Sequence, residues 1–412
     1  MRASHVYLVG GAVRDALLGL EPGERDWVVT GATPGELLDA GYRQVGSSFP
    51  VFIHPQSGEE YALARTERKQ GHGYHGFSVD FDPNVTIEED LERRDLTINA
   101  IARDGDGKLI DPFGGQRDLE AKILRHVSPA FAEDPLRVLR VARFAARFAP
   151  LGFTVHPDTL SLMRQISDSG ELEHLVPERC WKEIHSAMAA GQPSAFVVTL
   201  RACGALQVLL PEVQALYGVP QPVEGHPEID TGLHLELALD MASALGAGPA
   251  AVFAVLLHDL GKGLTDRSKW PAHHGHEAAG LPLVDTVCER FRVPTAVQKL
   301  ARQVCMGHLR CHRVLDMRPG SVMSLLDDLD ALRSRDISAF VQACEADFRG
   351  REGRQDVDYP QGRYVSAALE AALSVRAESL DLDSQMPGPE IGQRLRAARI
   401  AAIAECVVDL GQ

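Results

Sequence analysis

Hydrophobic periodicity changes character once along this chain, and that change restricts the possible folds more than any other feature. Through the first 125 residues, short β-branched runs alternate with helical stretches and glycine-rich turns: Val6 to Val9, then Ala12 to Leu18, then Trp27 to Thr30. The alternation predicts a mixed α/β domain. From about Asp134 to Ala149, Leu136, Val138, Leu139, Phe144 and Phe148 interleave with Arg137, Arg140, Arg143 and Arg147, which predicts a long basic-apolar helix. Beyond it the periodicity is almost wholly helical. Pro211, Pro220, Pro222 and Pro227 crowd one stretch with Gly218 and Gly225 and mark a boundary, and a second break near Tyr359 to Gly362 introduces an Ala/Leu/Arg-rich helical tail. A chain of 412 residues is longer than one hydrophobic core usually organises. The expected division is 1–127, 128–225, 226–350 and 351–412.

Composition excludes several classes. Hydrophobic residues at 45% and charged residues at 24% predict packed cores rather than disorder or a coiled coil. The longest apolar run, Ala250 to Leu257, is less than half of the ~20 residues a membrane-spanning helix needs. No membrane partner is expected. The opening residues show no apolar stretch with a cleavage site, and seven cysteines without a C-x-x-C pair read as reduced thiols, so the expected compartment is the cytoplasm. A net charge of −15 argues against a general nucleic-acid coat, although a local basic cleft could still hold RNA.

The first domain carries the makings of a phosphate site. A strand runs into Gly10-Gly11 and a helix with Arg14 and Asp15 in its first turn. Paired glycines let backbone approach a triphosphate, and arginine adds a charge-assisted fork, although a plain strand-to-helix turn looks the same. Glu24 and Asp26 flank Arg25 just before the apolar strand, and residues two apart in extended chain share a side. Two such carboxylates suit a pair of Mg²⁺ ions, and equally suit a solvated turn. Glu60 is a possible third acid. The string L-E-R-R-D-L-T-I-N-A brings Arg94, Asp95 and Asn99 together, arginine suiting phosphate and Asp/Asn suiting sugar hydroxyls. The string E-D-P-L-R-V-L-R-V-A-R sets Asp134, Arg137, Arg140 and Arg143 at three-residue steps along one expected helix face.

In their order, L-V-G-G-A-V-R-D, E-R-D-W-V-V, R-R-D-L-T-I-N-A and E-D-P-L-R-V-L-R resemble the bacterial-type CCA-adding enzymes, the tRNA nucleotidyltransferases of the polymerase-β-like superfamily. The resemblance implies an α/β nucleotidyltransferase (palm) domain followed by a mostly α-helical neck, body and tail. By that likeness Glu24 and Asp26 hold Mg²⁺, Gly11, Arg14, Arg94, Arg140 and Arg143 contact the incoming nucleotide, and Asp95 lies near its ribose. Implied partners are tRNA, CTP and ATP, with the enzyme a monomer or homodimer. The family usually has Asp-x-Asp where this chain has Glu24-Arg25-Asp26, which implies altered metal geometry.

Hydrogen-bond complementarity suggests how protein could choose a base. An Asp acceptor beside an Arg fork, as in Asp134 and Arg137, complements the donor and acceptor edges of cytosine and adenine. Guanine and uracil invert that pattern and leave buried groups unpaired, at about 1–3 kcal/mol each. The glycine-rich stretch K-Q-G-H-G-Y-H-G, between Arg68 and Phe77, is a candidate mobile loop or an ordinary surface excursion.

After the proline boundary, A-V-F-A-V-L-L-H-D-L-G-K reads as a buried helix ending in His258 and Asp259, a costly pair to bury unless it binds something. His234 lies upstream; His273, His274, His276, His308, His312 and Asp347 lie downstream. Imidazole with carboxylate suits Ni, Mn, Fe, Co or Zn. This pattern looks like the HD phosphohydrolase domain that some CCA-adding enzymes carry, which implies a Ni²⁺ or other transition-metal site with phosphatase, 2′-nucleotidase and 2′,3′-cyclic phosphodiesterase action. His234, His258 and Asp259 match best, with His274, His308 and Asp347 as further candidates. Two other readings are a poly(A) polymerase, and an HD-type RNA phosphohydrolase whose first domain is impaired by Glu24.

Overall fold

A computed structural model describes residues 4–45, 51–69, 77–80, 82–380 and 386–410. The chain forms two compact units, residues 1–183 with 195–209 and residues 184–194 with 210–412.

The first unit is built on strands β1 (His5–Val9), β2 (Asp26–Thr30), β3 (Arg43–Val45), β4 (Val51–Ile53), β5 (Glu60–Leu63), β6 (Thr66–Lys69), β7 (Phe77–Asp80), β8 (Ala102–Arg103) and β9 (Leu109–Ile110). Seven of them form one mixed sheet in the order β3-β4-β5-β2-β1-β8-β9, while β6 and β7 pair separately. Only β2 and β5 run parallel within the large sheet, with Asp26 opposite Glu60. Alternation along β2 feeds two cores. Val28 packs with Val9, Ile87 and Leu91, whereas Val29 packs with Leu37, Phe52 and Tyr61. Asp26 has the parity of Val28, so it emerges on the face covered by the Ile87–Glu92 helix.

The basic-apolar helix forms as expected but starts at Arg137. Asp134 has φ −111° and ψ 101°, outside the helix, so it does not share a helical face with Arg137, Arg140 and Arg143. Pro135 explains the correction, because the residue before proline is pushed out of the α region.

The second unit is helical. The apolar run forms the Pro249–Leu257 helix, buried from Ala251 onward, and it packs against the helices Thr231–Ala244, Thr295–His312 and Ser338–Arg349. Surrounded on several sides, it has no polar stripe to show. The chain then turns through a short 3-10 segment, Leu260–Leu264, packed against the His276–Arg290 helix. A Cβ on Gly261 would stand 2.0 Å from the carbonyl oxygen of His276, so only glycine permits this approach. Among the described residues no helix is long and apolar enough to cross a membrane.

Candidate active sites

The strand-to-helix turn is tighter than its sequence alone requires. Gly10 has φ +66°, and a Cβ there would lie 2.9 Å from Nη1 of Arg94. Glycine therefore lets the arginine close over the turn. Arg94 also reaches the wholly buried Asp90 (3.2 Å), and its Nε finds no hydrogen-bond partner among the described residues. Asp90 and Arg94 are four residues apart, a helical spacing that could have marked Asp90 as the orienting acid.

Asp26 opens β2 at the rim of this turn, and Glu24 stands in a bend just ahead of the strand. Both side chains are exposed, as is Glu60 on the neighbouring strand. The protein packed about the Asp26 carboxyl raises its pKa above the ordinary range; Arg94 opposes this and the like charge of Glu24 adds to it. A crowded, oxygen-only acidic rim fits Mg²⁺, which takes hard carboxylate ligands and keeps several waters.

Behind the rim lies a buried polar network. Arg14, 3% exposed, donates to Asp15 and Asn99 and packs over the rings of Phe144 and Phe148. Asn99 donates to Oδ1 of Asp95 (2.9 Å), which also accepts from the amide of Leu96, and Nε of Arg140 donates to Oδ2 (2.7 Å). Burial disfavours the Asp95 charge, but Arg140 and Asn99 outweigh it and hold its carboxyl well below the usual range. The same pairing raises Arg140. Arg143 donates to Glu183 (2.5 Å), an acid from the Pro177–Met188 helix that no local sequence signal marks. Arg14, Asp95, Asn99 and Arg140, drawn from three of the four strings, thus form one connected chain, and Gly11 begins the helix that carries Arg14.

The expected base-reading pair is already engaged. Asp134 accepts from Arg179 (2.8 Å) and from the Leu136 amide, while the Arg137 fork donates to the carbonyls of Ala130 and Arg93. The loop expected to move falls mostly on residues 70–76, outside the described residues.

The second unit gathers histidines around the end of its buried helix. His234 Nε2 lies 3.0 Å from Oδ1 of Asp347, and His258 Nε2 lies 3.2 Å from Oδ2 of Asp259 and 3.6 Å from Oδ1 of Asp347. Nε2 of His276 stands 3.1 Å from Oδ1 of Asp259, and Nε2 of His308 3.7 Å from it. His312 reaches Oδ2 of Asp347 (2.6 Å), and the buried Lys262 reaches Oδ2 of Asp259 (2.5 Å). His234, His258, Asp259, His308 and Asp347 therefore converge as expected from sequence. His274 does not. It is exposed in the turn before the His276–Arg290 helix, and His276, at the first helical position after Gly275 (φ +77°), takes the inward place. The sequence did hold a signal for His312, since His308 and His312 lie four apart on one helix.

Electrostatics show how unusual this burial is. Burial alone would lower the His258 pKa, but Asp259 and Asp347 raise it to about 10. Burial drives His308 the other way, to about 3. Asp347 is held well below the carboxylate range, burial notwithstanding, by His312, Arg351 and His258. Among the described residues, His258 Nε2 and Asp259 Oδ1 are buried without a hydrogen-bond partner. Orphaned atoms among imidazoles and carboxylates fit a borderline transition-metal ion.

Comparison with known proteins adds independent findings. Residues 6–125 match the family model described as the Poly A polymerase head domain, and residues 152–216 match the one described as a probable RNA and SrmB-binding site of polymerase A. The multifunctional CCA protein of Stenotrophomonas maltophilia (strain R551-3) is 56% identical over 402 residues, covering 97% of this chain and 99% of that protein. The one from Methylococcus capsulatus (strain ATCC 33009 / NCIMB 11132 / Bath) is 55% identical over 399 residues, covering 96% and 94%. In fold, the chain is similar to the Bacillus stearothermophilus CCA-adding enzyme in complex with CTP (TM-score 0.64, 23% identity, 98% of this chain and 89% of that one). It is also similar to the Thermotoga maritima CCA-adding enzyme complexed with tRNA (TM-score 0.61, 19% identity, 99% and 92%).

Proposed function

Because the chain belongs to the multifunctional CCA protein family, we propose that it adds the terminal C, C and A to tRNA from CTP and ATP, releasing pyrophosphate. The observation that carries this reading is the chain Arg14, Asn99, Asp95, Arg140, which links three sequence-distant strings beside the acidic rim. In this reading Glu24 and Asp26 would hold Mg²⁺, with Glu60 beside them. Bound there, the ion supplies charge neutralisation for the triphosphate and lowers the pKa of the attacking hydroxyl. Arg94, folded over Gly10 with its Nη2 on Asp90, would meet phosphate oxygens. Asp95 would orient the ribose, while Arg140 and Arg143, fixed by Asp95 and Glu183, line the nucleotide site. Asp134 and Arg137 would read the base by exchanging Arg179 and two backbone carbonyls for its edge. Functionally the chain divides into a nucleotidyltransferase segment (1–127), a nucleotide-selecting and RNA-binding segment (128–225), a phosphohydrolase segment (226–350) and a tail (351–412).

The histidine cluster supports a second activity, hydrolysis of phosphoesters at RNA ends: phosphatase, 2′-nucleotidase and 2′,3′-cyclic phosphodiesterase action. His234, His258, Asp259 and Asp347 would hold Ni²⁺ or another transition metal, which supplies a Lewis acid to the phosphoryl group. Incubating the protein with tRNA lacking its 3′-terminal CCA and labelled CTP and ATP, singly and together, tests the first part, and incubation with RNA ending in a 2′,3′-cyclic or terminal phosphate tests the second. Incorporation of C and then A is expected, along with phosphate release. Long A tails would replace this reading with a poly(A) polymerase, and phosphate release without incorporation would leave only the hydrolase.

A further inference from the structure

We propose that Gln221 and His273 form the ribose-recognition part of the phosphohydrolase site, gripping the free hydroxyl that neighbours the phosphorylated oxygen of a ribonucleotide monoester. The proposal deepens the phosphohydrolase reading and rests on it.

Both side chains are buried and incompletely bonded. Gln221 is 2% and His273 8% exposed, yet among the described residues Nε2 of Gln221 and Nδ1 of His273 have no hydrogen-bond partner. The neighbours fix what each of these atoms offers. Lys262 can only donate, and its Nζ lies 2.6 Å from Oε1 of Gln221, so the carboxamide gives its oxygen to the lysine and turns its NH2 group elsewhere. The Pro220 carbonyl can only accept, and it lies 2.9 Å from Nε2 of His273, so Nε2 carries the proton and Nδ1 of the neutral ring keeps a lone pair. Burial lowers the His273 pKa, in keeping with that neutral form. The unmet pair is thus one donor group and one acceptor.

The backbone pins these atoms in place. Pro220 bridges to Asp230, and the Gln221 amide donates to the Ile229 carbonyl at 2.7 Å. Ile229 itself takes a left-handed φ of +61°, uncommon for a β-branched residue. Position then selects the ligand. The Lys262 amine that touches Gln221 also donates to Oδ2 of Asp259 at 2.5 Å, so a single ammonium separates the carboxamide from an acid of the histidine cluster. His273 is close enough to feel both charges. With a phosphoryl group at the cluster, the sugar that bears it is the next part of the substrate, and the base lies beyond the sugar. A hydroxyl meets both needs, because it can donate to Nδ1 of His273 and accept from Nε2 of Gln221. A methylene at the same carbon does neither and leaves two buried groups unpaired. The substrate class is therefore a ribonucleoside 2′-monophosphate, or an RNA end of that kind, whose adjacent 3′-hydroxyl is free.

The test compares two substrates that differ by one oxygen. Full-length protein loaded with Ni²⁺ is assayed for phosphate release from uridine 2′-phosphate and from its 3′-deoxy counterpart. The native protein should prefer the hydroxyl-bearing compound by roughly 10–100-fold in kcat/KM. His273→Gln keeps a donor for the Pro220 carbonyl but loses the acceptor at Nδ1, and Gln221→Glu keeps an oxygen for Lys262 but loses the NH2 donor. Each should cut that preference about 10-fold. A native preference near unity, with phosphate released, overturns the proposal and leaves the phosphohydrolase reading standing. Variants that slow both compounds equally overturn it as well, since the two residues would then only support the fold. No release from either compound removes the 2′-nucleotidase reading and the proposal with it. Metal-free crystals soaked with uridine 2′-phosphate read the contact without turnover. The 3′-hydroxyl should lie within hydrogen-bond distance of Nε2 of Gln221 and Nδ1 of His273; a bound nucleotide that leaves only water on those atoms overturns the proposal.

Discussion

The two sites solve opposite problems with the same kinds of side chain. In the first unit the acids that would meet metal, Glu24 and Asp26, are exposed, and the arginines behind them are neutralised by Asp90, Asp95 and Glu183. In the second unit the acids and imidazoles are buried, and backbone carbonyls fix the ligand tautomers. An open rim keeps its carboxylates hydrated and must acquire its geometry from metal and nucleotide together. A buried cluster has paid desolvation in advance and is preorganised for a cation. The first site should therefore tolerate removal of an acid structurally while losing chemistry, whereas the second should couple its chemistry to the integrity of its surroundings.

The sharpest way to break this comparison is a crossed pair of substitutions. Asp26→Ala should lower nucleotide incorporation by several kcal/mol of barrier, on the order of 10³-fold, because metal-borne charge stabilisation is lost. Phosphate release should be untouched. His258→Ala should produce the reverse, with a similar loss of phosphate release. Incorporation and hydrolysis assays on both proteins, with circular dichroism to check folding, decide the matter; loss of both activities in either folded variant would mean the sites are not separate.

A smaller effect probes preorganisation itself. Glu228, largely buried, approaches the Nδ1 atoms of His226 (2.9 Å) and His234 (3.1 Å) from outside the cluster. Glu228→Gln keeps the size and removes the charge, so Ni²⁺ affinity at the His234 side should fall about 10–100-fold. Isothermal titration with Ni²⁺ measures it. An unchanged affinity would show that backbone contacts alone orient the cluster.

How much of this was legible in the sequence follows from how locally each partner is encoded. Glu24 with Asp26, Arg94 with Asp95, and His258 with Asp259 sit in short strings whose chemistry is visible without the fold, and the change of periodicity located the sheet and the helical region. Other features depend on distant chain. Glu183 and Arg179 come from a helix with no motif of its own, yet they fix Arg143 and Asp134. Choosing His276 over His274 depends on which residue opens the helix after Gly275, a boundary that periodicity leaves uncertain by a few residues. Pro135 is different: its effect on Asp134 could have been read from sequence, because the restriction before proline is local.

The smallest effect concerns the buried pair that ties the first site together, and it appears as a pH dependence. Asp95 is 5% exposed and holds its carboxyl below the unfolded value of about 3.9 through Arg140 and Asn99, against the cost of burial. A carboxyl of this kind stabilises the fold at every pH above its unfolded pKa. As pH falls from there toward the folded pKa, the unfolded chain takes up the proton first and the stabilisation is lost. Asp95→Asn cannot titrate and forfeits the charge attraction to Arg140, so the variant should be less stable than the native protein near pH 6. Between pH 6 and pH 3 the gap should close by about 1 kcal/mol, roughly 2–4 °C in Tm for a unit of this size. Thermal melts at the two pH values read the difference directly. A gap that stays constant across that range would mean the Asp95 charge contributes nothing to folding, and that the arginines of the open site are held by shape and hydrogen bonding alone.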